Sequence, residues 1–113
     1  MAIDAYIKQG DTLPVIQSTL TDSTGAALNV TGGTVLFSMA AGVGQTAKVA
    51  GGTATFTAGG GSVGIVSYAW KTADTDTAGV YFAEWLYKAA AGGGSERFPN
   101  NGYQTIVVLP KVN

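Results

Sequence analysis

Short runs in which every second residue is apolar recur along this chain. Val35, Phe37 and Met39 form one such run, and Val66 and Tyr68 belong to another. This period of two places the apolar side chains on one face of an extended strand, whereas a helix would need a period near 3.6. The 17 glycines and the lack of a long stretch at helical spacing also favour strands joined by turns. The sequence therefore predicts an all-β fold.

The alternation and the turn residues divide the chain into elements. Gly, Ala and Thr dominate residues 40–61, where we expect a flexible edge or loop with weakly specified register and short β-like pieces around 48–49 and 53–57. Residues 72–79 predict a polar corner, and residues 89–95 predict a loose loop. Strands are predicted at 15–20, 34–39, 66–70, 80–87 and 104–109. The turn spacing favours a sandwich, and we expect a single domain over residues 1–113 with an N-terminal arm at 1–8.

Charge is scarce in this sequence. Charged residues make up 12% of the chain and the net charge is −1, against about 25% charged residues in an ordinary soluble domain. We therefore expect a partner to cover part of the surface, and a homo-oligomer is one form this could take. The six basic residues are spread singly, which argues against nucleic-acid binding.

We expect neither a membrane span nor a secretion signal. No apolar run approaches the roughly 20 residues of a membrane span, and the first residues lack the basic region and apolar core of a signal peptide. The lack of cysteine fits assembly in a reducing compartment. We therefore expect a protein that is made in the cytoplasm and binds no membrane.

Catalytic side chains are also scarce. The chain has no histidine and no cysteine, so the commonest general base, the commonest metal ligand and a thiol nucleophile are missing. Asp74 and Asp76 are the only acids close in sequence, and they could begin a Ca²⁺ loop. Because no further ligands follow at loop spacing, a plain turn is the preferred interpretation. We expect no catalytic residues, no metal and no cofactor, and hence a protein that is not an enzyme.

Residues 76–81 have the D-x-A-G-x-Y pattern of a tyrosine corner in immunoglobulin-like sandwiches. In that corner a tyrosine near the start of strand F bonds to the backbone upstream, two residues before a cysteine. Ala83 stands at the cysteine position, so the disulfide is absent. We predict an immunoglobulin-like β-sandwich of about seven antiparallel strands, in which Asp76, Gly79 and Tyr81 form a structural corner. The aromatic residues expected in its core are Phe37, Tyr68, Trp70 and Trp85.

Six short pieces of the chain follow one another in an informative order. They are IKQGDTLP at 7–14, LNVTGGTVLFSM at 28–39, VSYAW at 66–70, DTDTAGVY at 74–81, AEW at 83–85 and FPNNGY at 98–103. In this order they resemble the immunoglobulin-like domain of phage and prophage accessory proteins, best known as the N-terminal domain of baseplate upper proteins. The resemblance covers most of the chain, although residues 40–61 are richer in Gly and Ala than the pattern. It implies a structural role in a virion.

Baseplate upper proteins usually continue into a helical linker and a further domain that holds the receptor-binding protein. A chain with the length of the immunoglobulin-like domain alone would lack the domain that holds the receptor-binding protein. It is therefore expected to decorate a larger shell. The leading prediction is a capsid decoration protein on the virion surface of a bacteriophage, which binds the major capsid protein by shape and apolar contact. An exposed β-edge could also pair with a partner strand. The predicted contact residues are Ile3, Tyr6 and Ile7, in the N-terminal arm.

Two alternatives stay open. One is a tail or baseplate adaptor, which would differ from the leading prediction only in its location on the particle. The other is a polysaccharide-binding module on the virion surface that would use exposed aromatic rings. Aromatic residues at strand spacing more often fill a core, however. The rings available for such a module are Tyr68, Trp70, Tyr81, Trp85 and Tyr87.

Overall fold

The computed structural model describes residues 3–21, 24–30, 32–42, 44–56, 64–89, 93–99 and 102–112. Within these ranges the backbone forms nine strands and a short 3-10 helix at Thr72–Asp74. The strands are β1 (Ala5–Lys8), β2 (Ile16–Thr19), β3 (Thr34–Ala40), β4 (Ala47–Thr53), β5 (Thr55–Phe56), β6 (Ile65–Tyr68), β7 (Gly79–Lys88), β8 (Ser95–Phe98) and β9 (Gln104–Leu109).

The strands form two sheets that pack face to face. The larger, six-stranded sheet has the order β1-β9-β7-β3-β4, with β8 also paired to β7. The smaller, three-stranded sheet has the order β2-β6-β5. The prediction of an all-β, immunoglobulin-like sandwich without a disulfide is confirmed. In that fold β3, β7 and β9 correspond to strands C, F and G, and β2 and β6 correspond to strands B and E.

Two pairings depart from the predicted set of about seven antiparallel strands. First, β1 runs parallel to β9, with Ala5 opposite Ile106 and Lys8 opposite Leu109. Second, β9 pairs with the first half of β7 and β8 pairs with its second half. Because β7 is ten residues long, it accommodates both partners, and β8 and β9 lie end to end beside it.

The apolar alternation accounts for the core between the sheets. Val35, Phe37 and Met39 of β3 are all buried, as their spacing predicts. Phe37 lies opposite Trp85 of β7 in the larger sheet. Its ring stacks on that of Tyr68 in the smaller sheet, with 5.0 Å between ring centroids. The two sheets therefore meet through aromatic side chains.

Trp70 and Trp85 complete this aromatic centre. The Trp70 ring meets Phe37 edge-on at 5.6 Å and Tyr68 edge-on at 5.7 Å, and the Trp85 ring lies 4.8 Å from Phe37. Such pairs contribute about 0.5–1.5 kcal/mol beyond the burial of their area. The structure thus places all four expected core aromatics in the interior, each at most 5% exposed.

Residues 5–8 are not a free arm, which corrects the expectation for residues 1–8. They form β1, which is paired along its length with β9. Ile7 is 4% exposed and belongs to the main hydrophobic core. Because β1 closes one side of that core, its removal would take Ile7 out of the core and expose the side chains around it.

The segment at 40–61, which we expected to be a loop or flexible edge, contains the complete strand β4. This strand pairs with β3 through a register shift between Phe37 and Met39. Gly51 adopts a φ of 69°, and a Cβ on its neighbour Gly52 would lie 2.4 Å from the Tyr68 ring. These glycines therefore allow the strand to bulge past the aromatic core. Parts of the predicted loops and turns, at 43, 57–61, 90–92, 100 and 101, lie outside the described residues.

Candidate binding surface

The predicted corner between β6 and β7 has the geometry of a tyrosine corner. The Tyr81 hydroxyl donates a hydrogen bond of 2.7 Å to the carbonyl oxygen of Thr77. Gly79 begins β7 with a φ of 155°, a conformation that residues with a Cβ rarely adopt. Tyr81 itself is buried, so its ring packs in the core while its hydroxyl holds the loop. This corner fixes where β7 begins.

Asp76 connects the corner to two other parts of the sandwich. Its carboxylate binds the Lys48 ammonium of β4 and accepts a 2.9 Å hydrogen bond from the Thr77 hydroxyl. Its backbone carbonyl accepts a 2.7 Å bond from the side chain of Gln9. The hydrogen bond from Lys48 lowers the pKa of Asp76 below its ordinary value and raises the pKa of Lys48. Asp76 therefore acts as a structural residue of the corner.

Asp74 is buried and has different partners. Its Oδ2 accepts hydrogen bonds from the Tyr68 hydroxyl at 2.6 Å and from the backbone N–H of Lys71 at 2.8 Å. Burial, and then the bond to Asp74, raises the pKa of Tyr68 well above its ordinary value. The carboxylates of Asp74 and Asp76 are thus bound by separate protein donors. Across the ranges that the structure describes, no three acidic side chains gather where they could hold a metal ion.

A half-buried polar link joins the two sheets. The Trp85 indole N–H donates a 2.9 Å hydrogen bond to the side-chain oxygen of Gln104, whose NH₂ donates a 2.8 Å bond to the Ser18 hydroxyl. Trp85 lies on β7 and Ser18 on β2, the strands that a disulfide joins in antibody domains. Sequence reasoning missed this link. The sequence could have indicated it, because Gln104 lies two residues before the buried Ile106 and so faces the same side of β9.

Exposed apolar side chains cluster on the side of the larger sheet that faces away from the core. Tyr6, Val107 and Val80 lie opposite one another across β1, β9 and β7. Tyr6 is 56% exposed and Val80 is 51% exposed. Phe82, two residues further along β7, packs against Tyr103 with 6.4 Å between ring centroids. We define the outer face as Tyr6, Val80, Phe82, Tyr103 and Val107.

The outer face adjoins a shallow depression of about 210 Å³. Phe82 and Tyr103 line this depression together with Glu84, which pairs with Arg97 at 3.4 Å. Contiguous apolar patches on soluble domains often mark the sites where other proteins bind. The outer face is therefore the strongest candidate for a functional surface among the described residues.

The three predicted contact residues differ in their exposure to solvent. Ile3 is 42% exposed and Tyr6 is 56% exposed, so both are accessible. Ile7 is buried, which corrects its assignment as a contact residue, because β1 turns this side chain into the core. A second depression, of about 220 Å³, lies beside β1 between Tyr6 and Leu13.

The rings considered for polysaccharide binding are mostly internal. Tyr68, Trp70, Tyr81 and Trp85 are at most 5% exposed, and Tyr87 packs against the core. These side chains therefore form no surface platform for a sugar ring.

These features define a class of protein: an immunoglobulin-like sandwich with a tyrosine corner, a polar link in place of a disulfide, and an apolar outer face. No protein-family model matches the chain, and no curated protein matches it at a significant level. The part of the chain that the structure describes contains no helix long and apolar enough to cross a membrane.

Proposed function

We propose that this protein is a non-enzymatic structural component of a tailed-phage virion, which decorates the head by binding the major capsid protein. The observation that carries the proposal is the outer face, where half-exposed apolar side chains lie in register across three strands. The resemblance to phage accessory domains supports a location on a virion, and the immunoglobulin-like fold agrees with that resemblance.

Covering the outer face would remove a large apolar area from water. Tyr6 and Tyr103 are 56% and 46% exposed. A tyrosine at this level leaves on the order of 100 Å² accessible, and its burial contributes roughly 2–3 kcal/mol at about 25 cal/mol per Å². Because aromatic side chains commonly dominate the energetics of protein interfaces, we expect these two tyrosines to contribute most of the binding energy.

The low charge of the chain indicates how such binding would respond to salt. Contacts between opposite charges weaken as ionic strength rises, whereas apolar burial does not. The outer face is defined by apolar side chains, so we expect attachment to particles to change little with moderate salt.

The location on the particle is tested by labelling purified virions with a gold-conjugated antibody against this protein and viewing them by negative-stain electron microscopy. The expected result is gold over the heads. Gold at the tail tip would make the protein a tail or baseplate adaptor, and unlabelled particles would overturn the virion assignment.

The contact surface is tested by co-sedimentation of purified protein with particles. Val80→Asp places a charge in the outer face and is expected to weaken binding at least about tenfold. Gln17→Asp places the same charge on an exposed position of β2 in the smaller sheet and is the matched control. If both folded variants bind equally well, the outer face is not the attachment surface.

A further inference from the structure

We infer that two copies of this chain associate by pairing their β1 strands in antiparallel fashion across a twofold axis at Tyr6. β1 is an edge of the larger sheet: it pairs with β9 on one side, and no described strand pairs with it on the other. An exposed edge is a template for another strand. The residues of β1 indicate which strand would fit.

The backbone hydrogen bonds show which groups of β1 face the free edge. The N–H of Gln9 donates to the carbonyl oxygen of Leu109 at 2.8 Å, so residues of the same phase, such as Ile7, direct their backbone groups toward β9. Successive residues of a strand alternate in this respect. The N–H and C=O of Tyr6 therefore point away from β9. Asp4, just before the strand begins, breaks this alternation, because its N–H donates to the carbonyl oxygen of Thr105 at 2.8 Å. The carbonyl oxygen of Lys8 accepts a 3.0 Å bond from the N–H of Asp11, so the new backbone bonds are centred on Tyr6. In the proposed dimer the two Tyr6 residues exchange both hydrogen bonds, with Cα atoms about 5.5 Å apart.

The side chains on either side of Tyr6 are complementary in charge under this symmetry. Asp4, Tyr6 and Lys8 share one phase of the strand, and all three are exposed. A twofold axis at Tyr6 places Asp4 of one copy opposite Lys8 of the other, and this happens twice. Cross-strand pairs of opposite charge stabilise a sheet, and like charges destabilise it. Registers centred on Asp4 or on Lys8 would instead place like charges together.

The two charged residues differ in the contacts they already make. Oδ2 of Asp4 accepts a 2.7 Å hydrogen bond from the backbone N–H of Thr105 in β9, on the paired side of β1. Its other oxygen can accept a bond from the second copy. Lys8 forms no salt bridge with any residue in the described ranges. Its ammonium can therefore reach the partner's carboxylate without breaking an existing ion pair.

Dimerisation would also enlarge the outer face. The twofold axis of an antiparallel edge pairing is perpendicular to the sheet, so both outer faces point to the same side. The two Tyr6 rings would lie side by side at the junction, and the apolar surface would continue from one copy into the next. This pairing can be measured on the purified protein alone, so its test does not depend on whether the protein binds a capsid.

Sedimentation equilibrium of the purified protein tests the inference, and a monomer–dimer equilibrium is expected. Lys8→Glu and Asp4→Lys each create two like-charge pairs, so each variant should dimerise at least about tenfold more weakly. The two variants are complementary to each other. Mixing them should therefore restore dimers that contain one chain of each kind, which a general loss of folding could not do.

Two further variants sharpen the test. Lys88→Glu, an exposed position at the end of β7, makes the same charge change away from β1 and should leave the dimer intact. Tyr6→Pro removes the N–H that faces the free edge and should abolish the dimer. A monomer at every concentration, or Lys8→Glu dimers as tight as those of the original chain, would overturn the inference.

Discussion

Trp85 and Gln104 lie on neighbouring strands, and the indole N–H of Trp85 donates a 2.9 Å hydrogen bond to the side-chain oxygen of Gln104. The same glutamine donates to Ser18 in the opposite sheet. One side chain therefore provides a partner for a fully buried indole and connects the two layers. In a chain without cysteine, this polar link replaces a covalent connection between the sheets.

Replacing Gln104 with Leu is expected to lower the free energy of unfolding by about 2–4 kcal/mol. Leucine has a similar volume, but it leaves the Trp85 indole N–H without an acceptor. It also removes the NH₂ group that donates to the Ser18 hydroxyl. A buried polar group without a hydrogen bond costs about 1–3 kcal/mol. Urea denaturation measures the change. Gln17→Leu, at an exposed position of β2, is the control. If Gln104→Leu were as stable as the original protein, the link would contribute nothing to stability.

Tyr81→Phe should lower the free energy of unfolding by about 1 kcal/mol, because the variant keeps the buried ring and loses only the hydrogen bond to Thr77. For a domain of this size, that change corresponds to a fall of about 4 °C in Tm. Thermal unfolding followed by circular dichroism measures it. Tyr103→Phe removes a hydroxyl from an exposed tyrosine and should leave Tm unchanged. A Tyr81→Phe variant with the same Tm as the original protein would contradict this role of the corner.

Gly52→Ala is expected to destabilise the fold by about 1–3 kcal/mol, the usual cost of inserting a methyl group into a packed core. The new Cβ would meet the Tyr68 ring at 2.4 Å, and that ring is held between Phe37 and Trp70. At Gly42 an added Cβ would meet only the flexible side chain of Gln45. Gly42→Ala should therefore change the free energy of unfolding by less than about 0.5 kcal/mol. Urea denaturation of both variants tests this contrast.

The ion pair between Lys48 and Asp76 gives stability a defined dependence on pH. Folding lowers the pKa of Asp76, chiefly through the hydrogen bond from Lys48. The pair's contribution is therefore present above the ordinary aspartate value of 3.8 and is lost as pH falls through the lower folded pKa. Asp76→Asn should have a lower Tm than the original protein at pH 7. The two Tm values should converge as the pH is lowered well below 3.8. A difference in Tm that stays constant as the pH falls would show that other contacts of Asp76 cause it.

The sequence predicted the central strands well because their patterns are strong and local. The runs expected at 34–39, 80–87 and 104–109 nearly coincide with β3, β7 and β9. The tyrosine corner was also predictable, since Asp76, Gly79 and Tyr81 lie within one short motif. In each case the information needed is contained in neighbouring residues.

The edge strands could not be predicted in the same way. β1 has one fully buried residue, Ile7, and β8 has one, Phe98. Ala5 also packs against the core, but it is small and only partly buried, so the alternation in β1 is weak. The pairing of Ala5 with Ile106 joins distant parts of the chain. These strands are defined by their partners and not by their own sequence pattern.

The outer face was only partly predictable for a related reason. Tyr6 was expected to contact a partner, but Val80 and Phe82 were not assigned to a contact surface. β7 is largely apolar on both faces, so its hydropathy does not show which side meets the core. The position of Gln104 beneath Trp85 likewise depends on how the two sheets pack.

The first and last strands run side by side in the same direction, with Ala5 beside Ile106 and Lys8 beside Leu109. A force that pulls residues 5 and 109 apart along the strand axis would load the hydrogen bonds of this ladder together, in shear. An antiparallel pair pulled at its adjacent ends would open one bond at a time. The sandwich therefore has a geometry that resists stretching between its terminal strands, a mechanical strength that thermal unfolding would not reveal.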